Sequence, residues 1–174
     1  LWTSPISFVA SANCGLYCGA SVDFVDVNPD TALMSVNALE SKLEQAKQQG
    51  KLPKIVIPVH LAGQSCDMKA ISKLGEKYNF RIIEDAAHAI GASYLNKNVG
   101  SCQYSDITVF SFHPVKVITT GEGGAALTNN LEVAKQMQLL RSHGITRDSK
   151  EMTNSIVSDW YYEQISLGFN YRMT

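Results

Sequence analysis

Charge is scarce in this chain. Only 18% of its 174 residues are Asp, Glu, Lys or Arg, below the share of about 25% usual in soluble domains. The 15 basic and 16 acidic residues leave a net charge of −1. No like-charge block stands out, which excludes a nucleic-acid groove and an anionic membrane surface. No apolar run approaches the roughly 20 residues of a membrane span, and no signal peptide opens the chain. Repeats, low-complexity tracts and clear linkers are missing too. Of four cysteines, only Cys14 and Cys18 are close, in a C-x3-C spacing that puts both on one helical face. No second cysteine pair completes a zinc site. The expectation is buried free thiols in a reducing compartment, and with them a cytoplasmic location. An initiating Met is also lacking: the chain opens on Leu1 and stops at Thr174, just after a dense motif. That points to a piece of a longer protein.

Apolar residues are abundant, at 45%, enough for one sizeable domain with a large core. Strand and helix patterns alternate. Ser21–Val27 reads as a strand, left through the turn residues Asn28-Pro29-Asp30. Ser35 starts a helix with Val36, Leu39, Leu43 and Ala46 on one face, and Gly50 ends it. Lys54–His60 is a near-continuous apolar strand, the kind a parallel sheet buries on both faces. Asp67 caps a helix to about Tyr78, and Arg81–Glu84 and Ile107–Phe112 are further buried strands. Gly123–Thr128 is a shorter, glycine-rich strand. Asn130–His143 is an amphipathic helix with Leu131, Ala134, Met137 and Leu140 facing in. Lys150–Glu163 reads as a surface loop. This alternation predicts an α/β domain with a mostly parallel sheet flanked by helices. Ligands on such sheets bind beyond the carboxyl ends of the strands, where His60, Asp85, His88, His113 and Lys116 fall.

Two clusters carry chemistry. In Glu84-Asp85-Ala86-Ala87-His88-Ala89, Asp85 directly follows a buried strand. A buried acid needs a cation or strong donors; a helix-capping carboxylate satisfied by backbone N–H groups is the plainer reading. The small alanines around it would let a flat molecule approach. In Ser111-Phe112-His113-Pro114-Val115-Lys116, followed by Thr119-Thr120-Gly121-Glu122-Gly123-Gly124, a lysine leaves an apolar strand five residues after a serine. An amine held partly out of water there is a nucleophile, although a solvated loop lysine is the commoner case. The Ser111 hydroxyl suits a phosphate, and the glycines allow close backbone approach. Taken together, an acid for a pyridinium N–H and a lysine for a Schiff base are what pyridoxal phosphate requires of a protein.

The strings EDAAHAIGASY, SFHPVK, TTGEGGAALTNN, RSHGI and GFNYRMT, with the opening SPISFVASANCGLYCGASVDFVDVNPDT and IPVHLAGQ, resemble the DegT/DnrJ/EryC1/StrS sugar-nucleotide aminotransferases over essentially the whole chain. The resemblance implies the central part of the large domain of a type I aminotransferase fold, with pyridoxal 5′-phosphate as coenzyme. It implies that Lys116 carries the coenzyme, Asp85 pairs with its ring nitrogen and His88 stands near its 3-oxygen. Ser111 would bond its phosphate, Phe8 would lie over its ring, and Asn170 would reach the phosphate in a partner subunit, so a homodimer with a shared site is implied. No role follows for His113 or Glu122. It further implies an amino group moving from glutamate to C4 of a UDP-4-keto-6-deoxy-N-acetylhexosamine, since SFHPVKVITTGEGGAALTNN, LRSHGITRD and WYYEQISLGFNYRMT suggest the pseudaminic-acid branch. A phosphate-binding Gly-Ser/Thr segment would lie upstream and a small domain downstream. Sugar dehydratases on this fold carry histidine at the Lys116 position, which argues against that branch. A zinc-binding or non-catalytic module using Cys14, Cys18, His60 and Cys66 is the other alternative, and its spacing fits no ligand rhythm.

Overall fold

The computed structural model describes residues 1–154 and 158–173. Its centre is a six-stranded sheet. In chain order the elements are β1 (Trp2–Thr3), α1 (Ala10–Tyr17), β2 (Asp23–Phe24), α2 (Val36–Gln48), β3 (Ile55–Ile57), α3 (Met68–Tyr78) and β4 (Arg81–Asp85). They are followed by β5 (Ser93–Tyr94), β6 (Lys97–Asn98), β7 (Ile107–Ser111), β8 (Gly124–Leu127), α4 (Leu131–Leu140), β9 (Ile145–Thr146) and β10 (Glu163–Gln164). The sheet order is β2-β1-β3-β4-β7-β8. The first five strands are parallel, and β8 returns antiparallel to β7. The small pairs β5-β6 and β9-β10 lie outside it.

The helices start and stop where side chains can satisfy their orphaned backbone groups. Ser35 accepts from the Ala38 N–H at 3.2 Å, and Asp67 from the Ala70 N–H at 3.2 Å. Asn79 ends α3 in the left-handed region, at φ 57°. The register puts Val56 and Ile82 opposite one another on one face of the sheet. There they pack with Leu39, Leu43 and Ala46 of α2 and Met68, Ile71, Leu74 and Tyr78 of α3. Leu39, Leu43 and Ile71 are fully buried, each stabilising the fold by about 1.5–3 kcal/mol relative to exposure.

Several expectations need correction. The strands are shorter than their apolar runs: Ser21–Val27 contributes Asp23–Phe24, and Lys54–His60 contributes Ile55–Ile57, with Val59 making one further bridge to Asp85. Periodicity marks α4 as amphipathic, yet none of its residues is buried, and Leu131 is 77% exposed. Cys14 and Cys18 are exposed, and only Cys66 and Cys102 are buried, although all four are free thiols. The span read as a loop at Lys150–Glu163 ends in β10, because Glu163 pairs with Thr146; its residues 155–157 lie outside the described residues. Among the described residues, no helix is long and apolar enough to cross a membrane, and no group of three or more His, Cys, Asp or Glu could hold a metal ion.

Candidate active site at the carboxyl edge of the sheet

Strand alternation sends consecutive side chains to opposite faces, and this separates the two acids that end β4. Glu84 turns towards the core, 5% exposed. Its carboxylate meets the His60 Nε2 at 2.7 Å and accepts from the Thr108 hydroxyl at 2.8 Å and from the Ser105 hydroxyl. The His60 Nδ1 accepts from the Cys66 N–H at 3.3 Å, so the ring proton lies on Nε2 and points at Glu84. Burial alone would push the Glu84 carboxyl up; the His60, Ser105 and Thr108 hydrogen bonds outweigh it and hold the carboxyl below the usual range. His60 is fully buried and satisfied. It belongs to the core and does not line the edge.

Asp85 turns to the other face and stays half-buried. Its backbone is locked to the segment that continues β3: its N–H donates to the Pro58 carbonyl at 2.9 Å, and its carbonyl accepts from the His60 N–H at 3.0 Å. Oδ1 accepts from the Ala87 N–H at 3.1 Å. Oδ2 accepts from the Ser11 hydroxyl, brought in by α1 from the far end of the sequence. No helix follows Asp85, so the expected helix cap is a tight turn instead, and its backbone N–H accounts for one oxygen only. Among the described residues, no Lys, Arg or His forms an ion pair with Asp85.

In the register, Asp85 lies opposite Val109, so Val109 and Ser111, two residues on, share its face of the sheet. Ser111 thus stands at the carboxyl end of the adjacent strand. The chain then leaves the ladder in a closed loop. The Phe112 N–H donates to the Gly123 carbonyl at 2.9 Å, and the Thr120 N–H donates to the Phe112 carbonyl at 3.1 Å. Lys116 lies in this loop, in a turn set by its own N–H donating to the His113 carbonyl at 2.9 Å. Lys116 is half-buried, while Val115 and Val117 beside it are exposed. The His113 Nε2 lies 3.9 Å from a Glu122 carboxylate oxygen, a contact within the loop. Gly123 has φ 153°, and a Cβ there would meet the Thr120 hydroxyl at 2.5 Å and the Met173 side chain at 2.9 Å. The glycine therefore lets the GFNYRMT segment press against the lysine loop.

The remaining candidates lie around this edge. His88 is exposed, and its Nδ1 accepts from the Ala62 N–H at 3.3 Å, leaving Nε2 outward. Phe8, just before α1, is 74% exposed. Asn170 is exposed, bridges to Ser142 and accepts from Arg172 at 2.8 Å. The structure thus brings Asp85 and Ser111 to neighbouring strand ends with Lys116 in the loop that follows, whereas Asn170 hangs on the segment beyond α4. Ala86 and Ala89 are fully buried against Phe110, whereas Ala87, which bonds to Asp85, is half-buried. Ser11 and the Ala62 N–H escaped sequence reasoning. The only local signal for Ser11 was its spacing of four from Ser7, whose hydroxyl is 3.4 Å away. The wider concavity, about 280 Å³, lies at the opposite edge and is lined by Glu76, Arg81 and Asp106. There Arg81 and Asp106 already pair at 3.0 Å.

A model of the DegT/DnrJ/EryC1/StrS aminotransferase family matches residues 1–174. The chain is 42% identical over 174 residues to the UDP-4-amino-4,6-dideoxy-N-acetyl-beta-L-altrosamine transaminase of Campylobacter jejuni, covering 99% of this chain and 42% of that protein. Helicobacter pylori PseC, an aminotransferase involved in the biosynthesis of pseudoaminic acid, superimposes with a TM-score of 0.84 at 34% identity, over 99% of this chain and 42% of that one. Spr1654 of Streptococcus pneumoniae, solved in a PLP-form, gives a TM-score of 0.77 at 28% identity, over 99% and 45%. The chain therefore spans about two-fifths of the length of the curated relatives it matches. Sequence and fold agree along its whole length, and the mostly parallel sheet flanked by helices is that of the PLP aminotransferases; the chain belongs to the DegT/DnrJ/EryC1/StrS aminotransferase family.

Proposed function

We propose that this chain is the coenzyme-holding part of a sugar-nucleotide aminotransferase that uses pyridoxal 5′-phosphate. The observation that carries the reading is the Asp85 carboxylate. It is half-buried, held by two neutral donors and without a cation among the described residues. Such an acid suits a protonated pyridine nitrogen; a hydroxyl, Ser111, ends the adjacent strand, and an amine, Lys116, lies in the loop that follows. The donor set fits the coenzyme.

Bound there, pyridoxal phosphate supplies an electron sink for a carbanion at the amino donor's α-carbon. Asp85 holds the ring N–H. The Lys116 amine would tether the coenzyme and, once displaced by the donor's amine, would carry the proton from the donor's α-carbon to the coenzyme's C4′. Ser111 would donate to the phosphate, and His88 would stand near the 3-oxygen. Phe8 would supply the aromatic ring over the coenzyme, and Asn170 would reach the phosphate held by a partner subunit, so that the working unit would be a homodimer. The amino donor is glutamate and the acceptor is C4 of a UDP-4-keto-6-deoxy-N-acetylhexosamine, a reading supported by the similarity to the altrosamine transaminase. The upstream phosphate-binding segment and a downstream small domain complete the enzyme, and the buried free thiols Cys66 and Cys102 suit a cytoplasmic setting.

The test is to titrate pyridoxal phosphate into the protein and follow a band near about 420 nm. The band should bleach on borohydride treatment with the label recovered on Lys116 by peptide mass spectrometry. Amine transfer from glutamate to the UDP-4-keto-sugar, against a GDP-linked analogue, then reads the substrate. A label on any other lysine would refute the site.

A further inference from the structure

Asp85 has to do more than be present: one of its lone pairs must point at the ring nitrogen. The half-buried carboxylate can rotate about its own side-chain bonds, and a hydrogen bond weakens steeply as its angle departs from linear. Two contacts stop that rotation. The Ala87 N–H holds Oδ1 from within the same turn. The Ser11 hydroxyl holds Oδ2 from α1, across 74 positions of sequence.

Ser11 is itself well placed to be rigid. It is only 7% exposed, and its backbone N–H donates to the Phe8 carbonyl at 3.3 Å. A serine hydroxyl has one hydrogen; given to Asp85, it leaves lone pairs that can accept from the Ser7 hydroxyl at 3.4 Å. Both donors on Asp85 are neutral, so they orient the carboxylate without discharging it. A lysine or arginine in the place of Ser11 would orient it equally well and compete with the cationic ring for the same charge.

We propose that Ser11 is a positioning residue for Asp85: its hydroxyl fixes the plane of the carboxylate so that the free lone pair of Oδ2 meets the coenzyme's ring nitrogen. This rests on the reading of Asp85 given above. The consequence is that the protonation of the ring, and not only the stability of the fold, depends on a hydroxyl that does not touch the coenzyme.

The experiment compares the wild-type full-length protein with its Ser11→Ala, Ser11→Thr and Ser11→Cys variants, each loaded with pyridoxal phosphate labelled with 15N in the ring. The 15N shift of the bound coenzyme reports ring protonation directly, and the affinity for coenzyme and the melting temperature without coenzyme are measured alongside. Ser11→Ala should move the ring signal from the protonated towards the unprotonated position and weaken coenzyme binding by about tenfold, the shortfall of a misaligned charge-assisted hydrogen bond at the ring nitrogen. Ser11→Thr should restore the wild-type signal, and Ser11→Cys, with its weak donor, should fall between. If Ser11→Ala does not fold, the cysteine variant carries the comparison. A wild-type ring signal in every folded variant that lacks the hydroxyl overturns the proposal. A wild-type full-length protein that binds no coenzyme refutes the coenzyme reading itself, a result separate from any contrast between variants.

Discussion

Glu84 and Asp85 are neighbours in sequence whose carboxylates lie on opposite faces of the sheet. The one facing the core is bound to His60, Thr108 and Ser105; the other is met by Ser11 and the Ala87 N–H. With Asp85 in its proposed role, the pair would divide structure from chemistry within two residues, and their substitutions should fail in different ways.

Lys116→Ala should leave the fold intact, because the side chain projects from a loop and not into the core. Amine transfer from glutamate should fall by more than about 10²–10⁴-fold, the worth of general acid–base catalysis alone, since the tether goes with the proton carrier. Asp85→Asn should retain much of the coenzyme affinity and lose most of the turnover. Turnover and coenzyme affinity measured on the same preparations separate the two; near-parental turnover in Lys116→Ala would remove that lysine from the mechanism.

Glu84→Ala should instead unfold the protein at lower temperature. It leaves His60, Thr108 and Ser105 facing an empty position, which costs about 3 kcal/mol, or about 10 °C in melting temperature. The pH dependence has a definite sign. The folded Glu84 carboxyl lies below its ordinary value of 4.5, so its stabilisation is fully present above that value and is lost as pH falls through the lower, folded one. The gap between the acid melting curves of wild type and Glu84→Gln should therefore narrow as pH falls below 4.5. Parallel curves down to pH 2 would contradict the assignment.

Thiol chemistry should sort the cysteines by depth. Burial pushes the Cys66 thiol up to about 12, and its Sγ donates to the Val59 carbonyl. Cys14 and Cys18 are exposed, though burial of part of Cys14 still raises its thiol. Iodoacetamide at pH 8 should label Cys18 and Cys14 in the folded protein and leave Cys66 untouched until denaturant is added, as read by peptide mass spectrometry.

Gly144 permits a crossing that no other residue would. Its φ is 68°, and a Cβ there would stand 1.9 Å from the Ser166 carbonyl oxygen. Gly144→Ala should displace the segment that follows and carries Asn170, at a cost of about 1–3 kcal/mol. Limited proteolysis should then cut near Ser166–Tyr171 well before global unfolding. Unchanged cleavage would show that the crossing relaxes without harm.

Local chemistry was readable in advance wherever it depends on near neighbours. Ser35 and Asp67 cap their helices because a side chain three residues before a free N–H reaches it whatever the tertiary fold. The strand-end positions of Asp85 and Ser111 followed from their apolar runs. What lay hidden depends on distant partners. Ser11 finds Asp85 only once α1 has packed on the sheet. His60, ambiguous in sequence, is settled by Glu84 and Cys66, which no periodicity links to it. The amphipathic pattern of α4 is equally plain in sequence, but an apolar stripe is buried only when a neighbour covers it, and none of the described residues buries Leu131.

The loop that carries Lys116 is pinned at its base, where Phe112 bonds to both Gly123 and Thr120. An amine on such a noose cannot diffuse away when it lets go of a partner. It remains a tethered reagent, at an effective concentration far above any reached by free ammonia, with reactions of this kind gaining up to about 10⁵–10⁸ M when well aligned. The antiparallel return of β8 is what ties the noose, so on the proposed role of Lys116 the one strand that breaks the sheet's parallel order would also keep that amine within reach of its target between one turnover and the next.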